Sequence, residues 1–296
     1  MLRQNTNPIL ESPQFKAILK LLSFDSALVL DLDNTSVEPL DSFHDLGSDQ
    51  WFVKLIEYAC KLIPDHEEAI AAVIAIYHEV QHHLRMQPVE KPTIVNIIRA
   101  LQDIGIPVIG LTARDEVLKE STLRQLKEIG IDFHGRIIFC NGKDKGECLE
   151  KYLTTHKIKL RHIVMADDKE KHLLHVQKAV EKLGIRFSGV RYSFLDEKIK
   201  NVDMPGANAQ LLHIKHKLTT TTQQVMEKLQ ILPQNFFSHH PVSSDFYFED
   251  EINSASNKEK MFQPTIINRK MKQKDHPEQC DNNNDEHHHK RRRNRY

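Results

Sequence analysis

Cysteine is scarce in this sequence, and long apolar runs are absent from it. The four cysteines, Cys60, Cys140, Cys148 and Cys280, form no Cys-x-x-Cys pair, which argues against a disulfide framework or a zinc site and predicts free thiols in a reducing compartment. No apolar stretch approaches the roughly eighteen residues that a membrane span needs, and the N-terminus lacks the hydrophobic core of a signal peptide. We therefore expect a cytoplasmic protein without a membrane span.

The chain also lacks a net charge that would point to one class of partner. Its 296 residues include 41 Lys and Arg and 41 Asp and Glu, so binding to nucleic acid or a membrane would have to come from a local patch. One such patch ends the chain, where residues 287–296 read HHHKRRRNRY. This cluster allows an anionic partner, although a solvated tail is the simpler interpretation.

The clearest chemical signal is a hydrophobic run from Ala27 that ends in Asp31-Leu-Asp33-Asn-Thr35. Such a run predicts a buried strand that brings polar groups to the carboxyl edge of an α/β sheet, where these sheets bind ligands. Because side chains alternate along a strand, we expect Asp31 and Asp33 on the same side. One carboxylate can then attack a substrate while the other moves protons, provided that cations offset their repulsion.

Predicted helices and strands alternate after this run. A helical insert covers about residues 51–62 and 65–85, and hydrophobic strands follow at 107–111, 136–140, 162–166 and 186–192, with helices between them. Connections of this kind join parallel strands and cover both faces of the sheet. The sequence therefore predicts an α/β fold with a doubly wound, mainly parallel sheet.

The same pattern divides the chain into four regions. They are an α/β core of residues 1–35 and 93–202, a small helical cap of residues 36–92 inserted after the first strand, a C-terminal helical extension of residues 203–248, and a tail of residues 249–296. The tail is rich in Asn, Lys, Glu, Gln and His, so it is predicted to be largely disordered.

Four motifs stand at strand ends or helix starts, and together they resemble one superfamily. They are Asp31-x-Asp33-x-Thr35, Thr112 after a hydrophobic strand, Lys145 before a helix, and Asp167-Asp168 after another strand. Over about residues 25–192 the chain resembles the haloacid dehalogenase (HAD)-like superfamily. The passage LGSDQWF at residues 46–52 is similar to its domain-of-unknown-function 2608 branch from intracellular bacteria, a setting in which export to a host cell without a signal peptide is an option.

The resemblance implies a phosphatase with a HAD-like Rossmannoid core and a cap that restricts the substrate to a small phosphomonoester. Asp31 would attack phosphorus to form an aspartyl-phosphate, and Asp33 would act as acid and base. A second Asp at this position is typical of phosphatases in the superfamily, whereas its dehalogenases and transport ATPases lack it. Positioned cations and donors would stabilise the charge on the transferring group.

The resemblance also implies a cofactor and its ligands. Mg²⁺ prefers oxygen ligands, and it would be held by Asp31, the backbone carbonyl of Asp33, and Asp167. Asp168 would orient the metal shell, and the reverse assignment of Asp167 and Asp168 stays open.

The remaining site residues come partly from the resemblance and partly from their positions, and for Arg114 an exposed residue in the first turn of a helix is the alternative. Thr112 would donate a hydrogen bond to the phosphate, and Lys145 would pair with Asp31 and the phosphate, with Lys143 as a rival two residues away. Three further residues are predicted to contact the substrate: Thr35, Arg114 and Trp51.

Two other functions are weighed against this one. Residues 78–82 read HEVQH, a His-Glu-x-x-His pattern that binds zinc in metalloproteases, but no strong third ligand is apparent and the chain has 18 histidines. The second alternative is a catalytically silent HAD-like binding or effector protein that acts through its C-terminal region. It is disfavoured because every motif position is filled.

Overall fold

The computed structural model describes residues 8–231, so the predicted tail and its basic cluster lie outside the described residues. Its strands are β1 (Ile9–Ser12), β2 (Ser26–Leu30), β3 (Val37–Pro39), β4 (Met86–Pro88), β5 (Val108–Thr112), β6 (Ile137–Phe139), β7 (His162–Asp167) and β8 (Arg186–Tyr192). Its helices are α1 (Asp49–Leu62), α2 (His66–His83), α3 (Thr93–Asp103), α4 (Lys119–Glu128), α5 (Lys145–Thr155), α6 (Glu170–Lys182), α7 (Asp196–Ile199), α8 (Met204–Ile214) and α9 (Thr220–Lys228). Among these helices, none has the length and apolarity that crossing a membrane requires.

Six strands form one sheet in the order β1-β8-β7-β2-β5-β6, and every neighbouring pair is parallel. The prediction of a mainly parallel α/β sheet is therefore confirmed. Strand β2 lies between β7 and β5, and all five of its residues are buried. A strand that is buried on both faces needs the continuous apolar run that the sequence has here.

The two faces of the sheet bury alternate residues of the same strands. Leu28 and Leu30 of β2 belong to a hydrophobic cluster with α3 and α4, whereas Val29 packs in a second cluster with α5 and α6. This alternation is the period of two that an extended chain imposes. Helices therefore cover both faces, as the order of elements predicted.

The N-terminal region differs from its predicted form. A short edge strand, β1, and a 3₁₀ segment, Phe15–Lys20, precede β2, whereas the sequence predicted no strand before Ala27. The strand was missed because only Ile9 of its four residues is buried. Its place depends on backbone pairing with β8, which leaves no apolar pattern in the sequence.

The segment after β2 contains an antiparallel two-stranded ribbon, β3 with β4, and a pair of helices, α1 and α2. The helices were predicted, and each begins at a side-chain N-cap: Ser48 accepts a hydrogen bond from the Trp51 N–H, and Asp65 caps α2. The ribbon was not predicted, because its strands have three residues each and contain Pro39 and Pro88. It joins the two helices to the sheet.

The C-terminal helices α8 and α9 pack against the inserted helices. The indole Nε1 of Trp51 donates to Asn208 Oδ1 at 3.2 Å, and both side chains are fully buried. Farther along, the backbone and hydroxyl of Thr219 donate to Glu79 of α2. The inserted and C-terminal helices therefore share one hydrophobic cluster, while the proposed boundaries of the regions stay a prediction.

We expect Asn208→Ala to destabilise the fold by about 1–3 kcal/mol, because it leaves the buried indole N–H of Trp51 without an acceptor. Urea unfolding of the full chain measures this change. Asn201→Ala, at an exposed position, is the matched control and should stay within about 0.5 kcal/mol. Equal stability of the two variants would show that the Trp51–Asn208 hydrogen bond contributes nothing.

Candidate active site

Three neighbouring strands bring polar residues to one edge of the sheet. Asp31 follows β2, Thr112 ends β5 and Asp167 ends β7, and these strands lie side by side in the order β7-β2-β5. The backbone N–H of Asp31 donates to the Ala166 carbonyl at 3.1 Å, which extends the pairing of β2 and β7 up to the acidic residues. The predicted cluster therefore forms at the carboxyl edge, where parallel sheets bind ligands.

Lys145 lies at the centre of this cluster. Its Nζ is 2.6 Å from Asp31 Oδ1 and 2.8 Å from Asp167 Oδ2, and the side chain is 1% exposed. Burial alone would lower the pKa of Lys145, but the two carboxylates outweigh it and raise that pKa well above its ordinary value. Lys143, the rival lysine, is exposed. Lys145, and not Lys143, therefore forms the ion pair with Asp31.

The start of α5 is built to hold Lys145 in this place. Asp144 is the N-cap and accepts a hydrogen bond from the Glu147 N–H at 2.9 Å. At Gly146, an added Cβ would collide with the backbone carbonyl of His175 in α6. Only glycine allows α5 and α6 this close approach, which explains why a Lys-Gly pair opens the helix.

Asp33 has a cation of its own, Arg114. The guanidinium donates from Nε and Nη2 to the two Asp33 oxygens at 2.8 and 2.7 Å, and Nη1 donates to Thr122 and Gln125. Such a bidentate pair fixes the orientation of a carboxylate. Arg114 was predicted to contact the substrate, but its side chain is 2% exposed and already bound. Its geometry is that of a residue that positions Asp33.

Of the two predicted threonines, Thr35 contacts Asp31 and Thr112 ends the neighbouring strand β5. Thr112 Oγ1 accepts the Arg114 backbone N–H at 3.1 Å, so its own hydroxyl hydrogen stays available to donate to a phosphate oxygen. Thr35 Oγ1 lies 3.5 Å from Asp31 Oδ2 and is fully buried. Thr35 therefore contacts the carboxylate itself, and its predicted role in substrate binding stays a prediction.

Asp167 is fully occupied by protein donors. One of its oxygens accepts the Lys169 N–H at 2.8 Å, the other accepts Lys145, and His172 Nδ1 lies 3.0 and 3.1 Å from the two. Burial opposes the charge of Asp167, but His172 and Lys145 together lower its pKa. Sequence reasoning missed His172. The available signal was a histidine in the first turn of the helix that follows the Asp-Asp pair.

Asp168, in contrast, forms no ion pair with any residue in the described part of the chain. Its side chain accepts a long hydrogen bond from Asn34 Nδ2 at 3.5 Å, and burial and the negative charge of Asp167 outweigh the positive charge of Lys169 and raise its pKa to about 6. Burial and Asp167 also raise the pKa of Asp31 in spite of Lys145. Raised pKa values at two buried carboxylates mean that the local cations do not balance the negative charge.

This surplus of negative charge fits a divalent cation. Asp31 Oδ2 has only the long contact to Thr35, the Asp33 carbonyl accepts no hydrogen bond from the described residues, and Asp168 is unpaired. These oxygens are the ligand type that Mg²⁺ prefers. Asp31, Asp167 and His172 also form a compact group of metal-ligating side chains, but the hydrogen bonds already made by Asp167 favour Asp168 as the ligand and Asp167 as its support.

Two residues of the inserted helices differ from the prediction: Trp51 has another role, and Tyr77 was not predicted as a site residue. Trp51 was predicted to contact the substrate, but it is fully buried and its N–H is bound to Asn208, so it packs α1 against α8. Tyr77 of α2 was missed. Its side chain is 8% exposed, the charges that act on its hydroxyl include Asp33 and Arg114, and the hydroxyl makes no hydrogen bond to the described residues.

The His-Glu-x-x-His pattern on α2 does not assemble a zinc site. His78 Nε2 contacts Asp115 Oδ2 at 2.7 Å, and Glu79 accepts hydrogen bonds from Thr219. Within residues 8–231, the compact group of possible metal ligands is the one at Asp31, Asp167 and His172. The two motif residues therefore act in packing the inserted helices against their neighbours.

Comparison with known proteins identifies the family. Residues 13–138 and 135–228 match the model of the family described as a protein of unknown function, DUF2608, and the chain belongs to that family. A Chlamydia pneumoniae protein with the name "putative outer membrane protein" is 25% identical over 182 residues, which cover 56% of this chain and 68% of that protein. The resemblance to the DUF2608 family is thus confirmed, and the wider resemblance to the HAD-like superfamily stays a prediction.

Asp168 and Asp167 should respond differently to substitution. We expect Asp168→Asn to weaken Mg²⁺ binding at least tenfold with little change in stability, because the long contact with Asn34 is the only hydrogen bond of the Asp168 side chain within the described residues. Asp167→Asn should instead destabilise the fold by about 3–5 kcal/mol, since Lys145 and His172 lose their shared carboxylate. Titration calorimetry with Mg²⁺ and urea unfolding measure the two effects. The reverse pattern would return the ligand role to Asp167.

Proposed function

We propose that this protein is a Mg²⁺-dependent phosphatase of the HAD-like type that hydrolyses a small phosphomonoester through an aspartyl-phosphate on Asp31. The observation that carries the proposal is the pairing of two neighbouring carboxylates with separate buried cations. Asp31 pairs with Lys145, and Asp33 pairs with Arg114. Each carboxylate can then hold a different role in the same reaction.

In the first step, an Asp31 oxygen attacks phosphorus and the ester oxygen leaves. Lys145 and the Thr112 hydroxyl are placed to bind the oxygens of the transferring group, where negative charge must be stabilised. Mg²⁺, held by Asp31, the Asp33 carbonyl and Asp168, would add a further positive charge at the phosphoryl oxygens. Lys145 is held by Asp31 and Asp167, so little reorganisation of the cation is needed.

In the second step, water attacks the phosphorus of the aspartyl-phosphate and restores Asp31. Asp33, two residues along the chain, is the candidate to protonate the leaving oxygen first and to take a proton from this water later. Both of its oxygens accept hydrogen bonds from Arg114. Each of these oxygens keeps a second lone pair, so Asp33 can exchange a proton while Arg114 holds it in place.

The inserted helices support a role as a cap over this site. Asp49 at the start of α1 pairs with Lys169 at 2.9 Å, and His78 of α2 contacts Asp115. Lys169 directly follows Asp167-Asp168, and Asp115 directly follows Arg114. These two contacts therefore connect the inserted helices to the core on two sides of the site. Such a cover excludes bulk water from the reaction. Tyr77, on the covering side, is the candidate to bind the leaving group.

Asp31→Asn should abolish hydrolysis of p-nitrophenyl phosphate, because an amide cannot attack phosphorus. Asp33→Asn should still be phosphorylated by this activated substrate but should release phosphate slowly, since no base deprotonates the water. Intact-mass measurement after rapid mixing should show one added phosphoryl group on Asp33→Asn, removable by hydroxylamine and absent when Asp31 is changed as well.

Asp103→Asn, an exposed substitution in the last turn of α3, is the matched control and should turn over like the parent. If Asp31→Asn keeps the activity of the parent, Asp31 is not the nucleophile. If the folded parent turns over no phosphate ester in the presence of Mg²⁺, the weight moves to the alternative of a silent binding protein.

Tyr77→Phe should raise the KM for phosphate esters of hydroxylated alcohols about tenfold, because it removes one hydrogen bond worth roughly 1.4 kcal/mol. The effect on p-nitrophenyl phosphate should be several-fold smaller, since that leaving group has no hydroxyl. The melting temperature should hardly change, as the Tyr77 hydroxyl makes no hydrogen bond to the described residues. Tyr152→Phe on α5 is the control. Equal losses on both substrates would exclude a role in leaving-group recognition.

A further inference from the structure

Two cysteines lie close together near the helix start that carries the lysine of the site. Cys140 directly follows β6 and is buried, while Cys148 lies in the first turns of α5 and is half-buried. The thiol of Cys148 contacts the Cys140 carbonyl at 4.0 Å, and both side chains pack in the same hydrophobic cluster. The segment between them carries Lys145. None of the functions considered above uses this pair.

The pair is chemically asymmetric. The neighbouring Cys140 thiol lowers the pKa of Cys148 against the opposing effects of burial and Asp144. Cys148 and burial together raise the pKa of Cys140. A half-buried thiol of lowered pKa next to a buried thiol is the arrangement of a reactive cysteine with a resolving partner.

We propose that Cys140 and Cys148 are a redox-active pair that forms an intramolecular disulfide when the protein meets a peroxide. The Cys148 thiolate sulfur attacks one peroxide oxygen, the O–O bond breaks, and hydroxide leaves as Cys148 becomes a sulfenic acid. The Cys140 sulfur then attacks the Cys148 sulfur, the S–O bond breaks, and water leaves with the Cys140 proton. Two thiols lose two electrons, and hydrogen peroxide is reduced to two molecules of water.

The disulfide would bear directly on the candidate site. It would fasten the first turns of α5 to the end of β6, with Lys145 three residues before Cys148. Oxidation would therefore restrain the turn that presents Lys145 to Asp31 and Asp167. The pair needs no metal and no phosphate ester, so it can be tested whether or not the protein is a phosphatase.

The test uses the full chain with Cys60→Ser and Cys280→Ser, which leaves Cys140 and Cys148 as its thiols. Brief treatment with a small excess of hydrogen peroxide should remove both thiols from titration with a thiol reagent and lower the intact mass by the two hydrogens. Peptide mapping should link Cys140 to Cys148, and dithiothreitol should restore the starting mass.

Single variants in this background assign the two roles. In Cys140→Ser, oxidation should stop at a sulfenic acid on Cys148, which dimedone traps. In Cys148→Ser, peroxide should oxidise the remaining thiol of Cys140 at a rate at least tenfold lower than the rate at which it oxidises the first thiol of the parent background. Cys140→Ala and Cys148→Ala replace any serine variant that does not fold. The proposal is overturned if the folded parent background accumulates sulfenic acid without a disulfide, or if Cys148→Ser reacts as fast as the parent background.

Discussion

The buried ammonium of Lys145 between Asp31 and Asp167 is the contact on which the rest of the site depends. Two carboxylates on adjacent strands would repel each other in a water-excluded place, and a cation hydrogen-bonded to both turns that repulsion into attraction. The position of Lys145 between these carboxylates also constrains the residues around the site. Helix α5 has to begin at Lys145, and position 146 has to be glycine because α5 and α6 approach closely there. Asp168 is not part of this ion-pair cluster, and its charge is not balanced by it.

Much of this cluster could be predicted because strand ends are local signals. Asp31, Thr112 and Asp167 each follow a continuous apolar run, and parallel strands bring such ends to one edge. The partners of Asp33 could not be predicted in the same way. Whether Arg114 faces solvent, the substrate or Asp33 is decided by Thr122 and Gln125 on α4, and these contacts have no counterpart in the spacing of residues along the chain.

The parts of the fold that were missed share one physical cause. Strand β1 and the β3–β4 ribbon depend on backbone pairing, and short pairings leave little pattern in side chains. The packing of α8 on α1 depends on the Trp51–Asn208 hydrogen bond, in which a single buried polar residue decides the contact. Periodicity reports which face of a helix is apolar. It does not report which other helix will cover that face.

The exposure of the site residues indicates the direction from which a ligand can reach Asp31. The side chains of Asp31, Lys145 and Asp167 are almost fully buried, whereas Asp33 is 20% exposed and Lys169, on the rim, is 38% exposed. The opening therefore lies toward Asp33 and the Asp49–Lys169 pair, between α1 and the turn after β7. Helices α8 and α9 share the hydrophobic cluster of the inserted helices, so a movement that separated them would have to expose apolar surface, at about 25 cal/mol for each Å². Breaking one partly solvated ion pair is the smaller cost. If the inserted helices act as a cap, we therefore expect the Asp49–Lys169 ion pair to break before the hydrophobic contacts do.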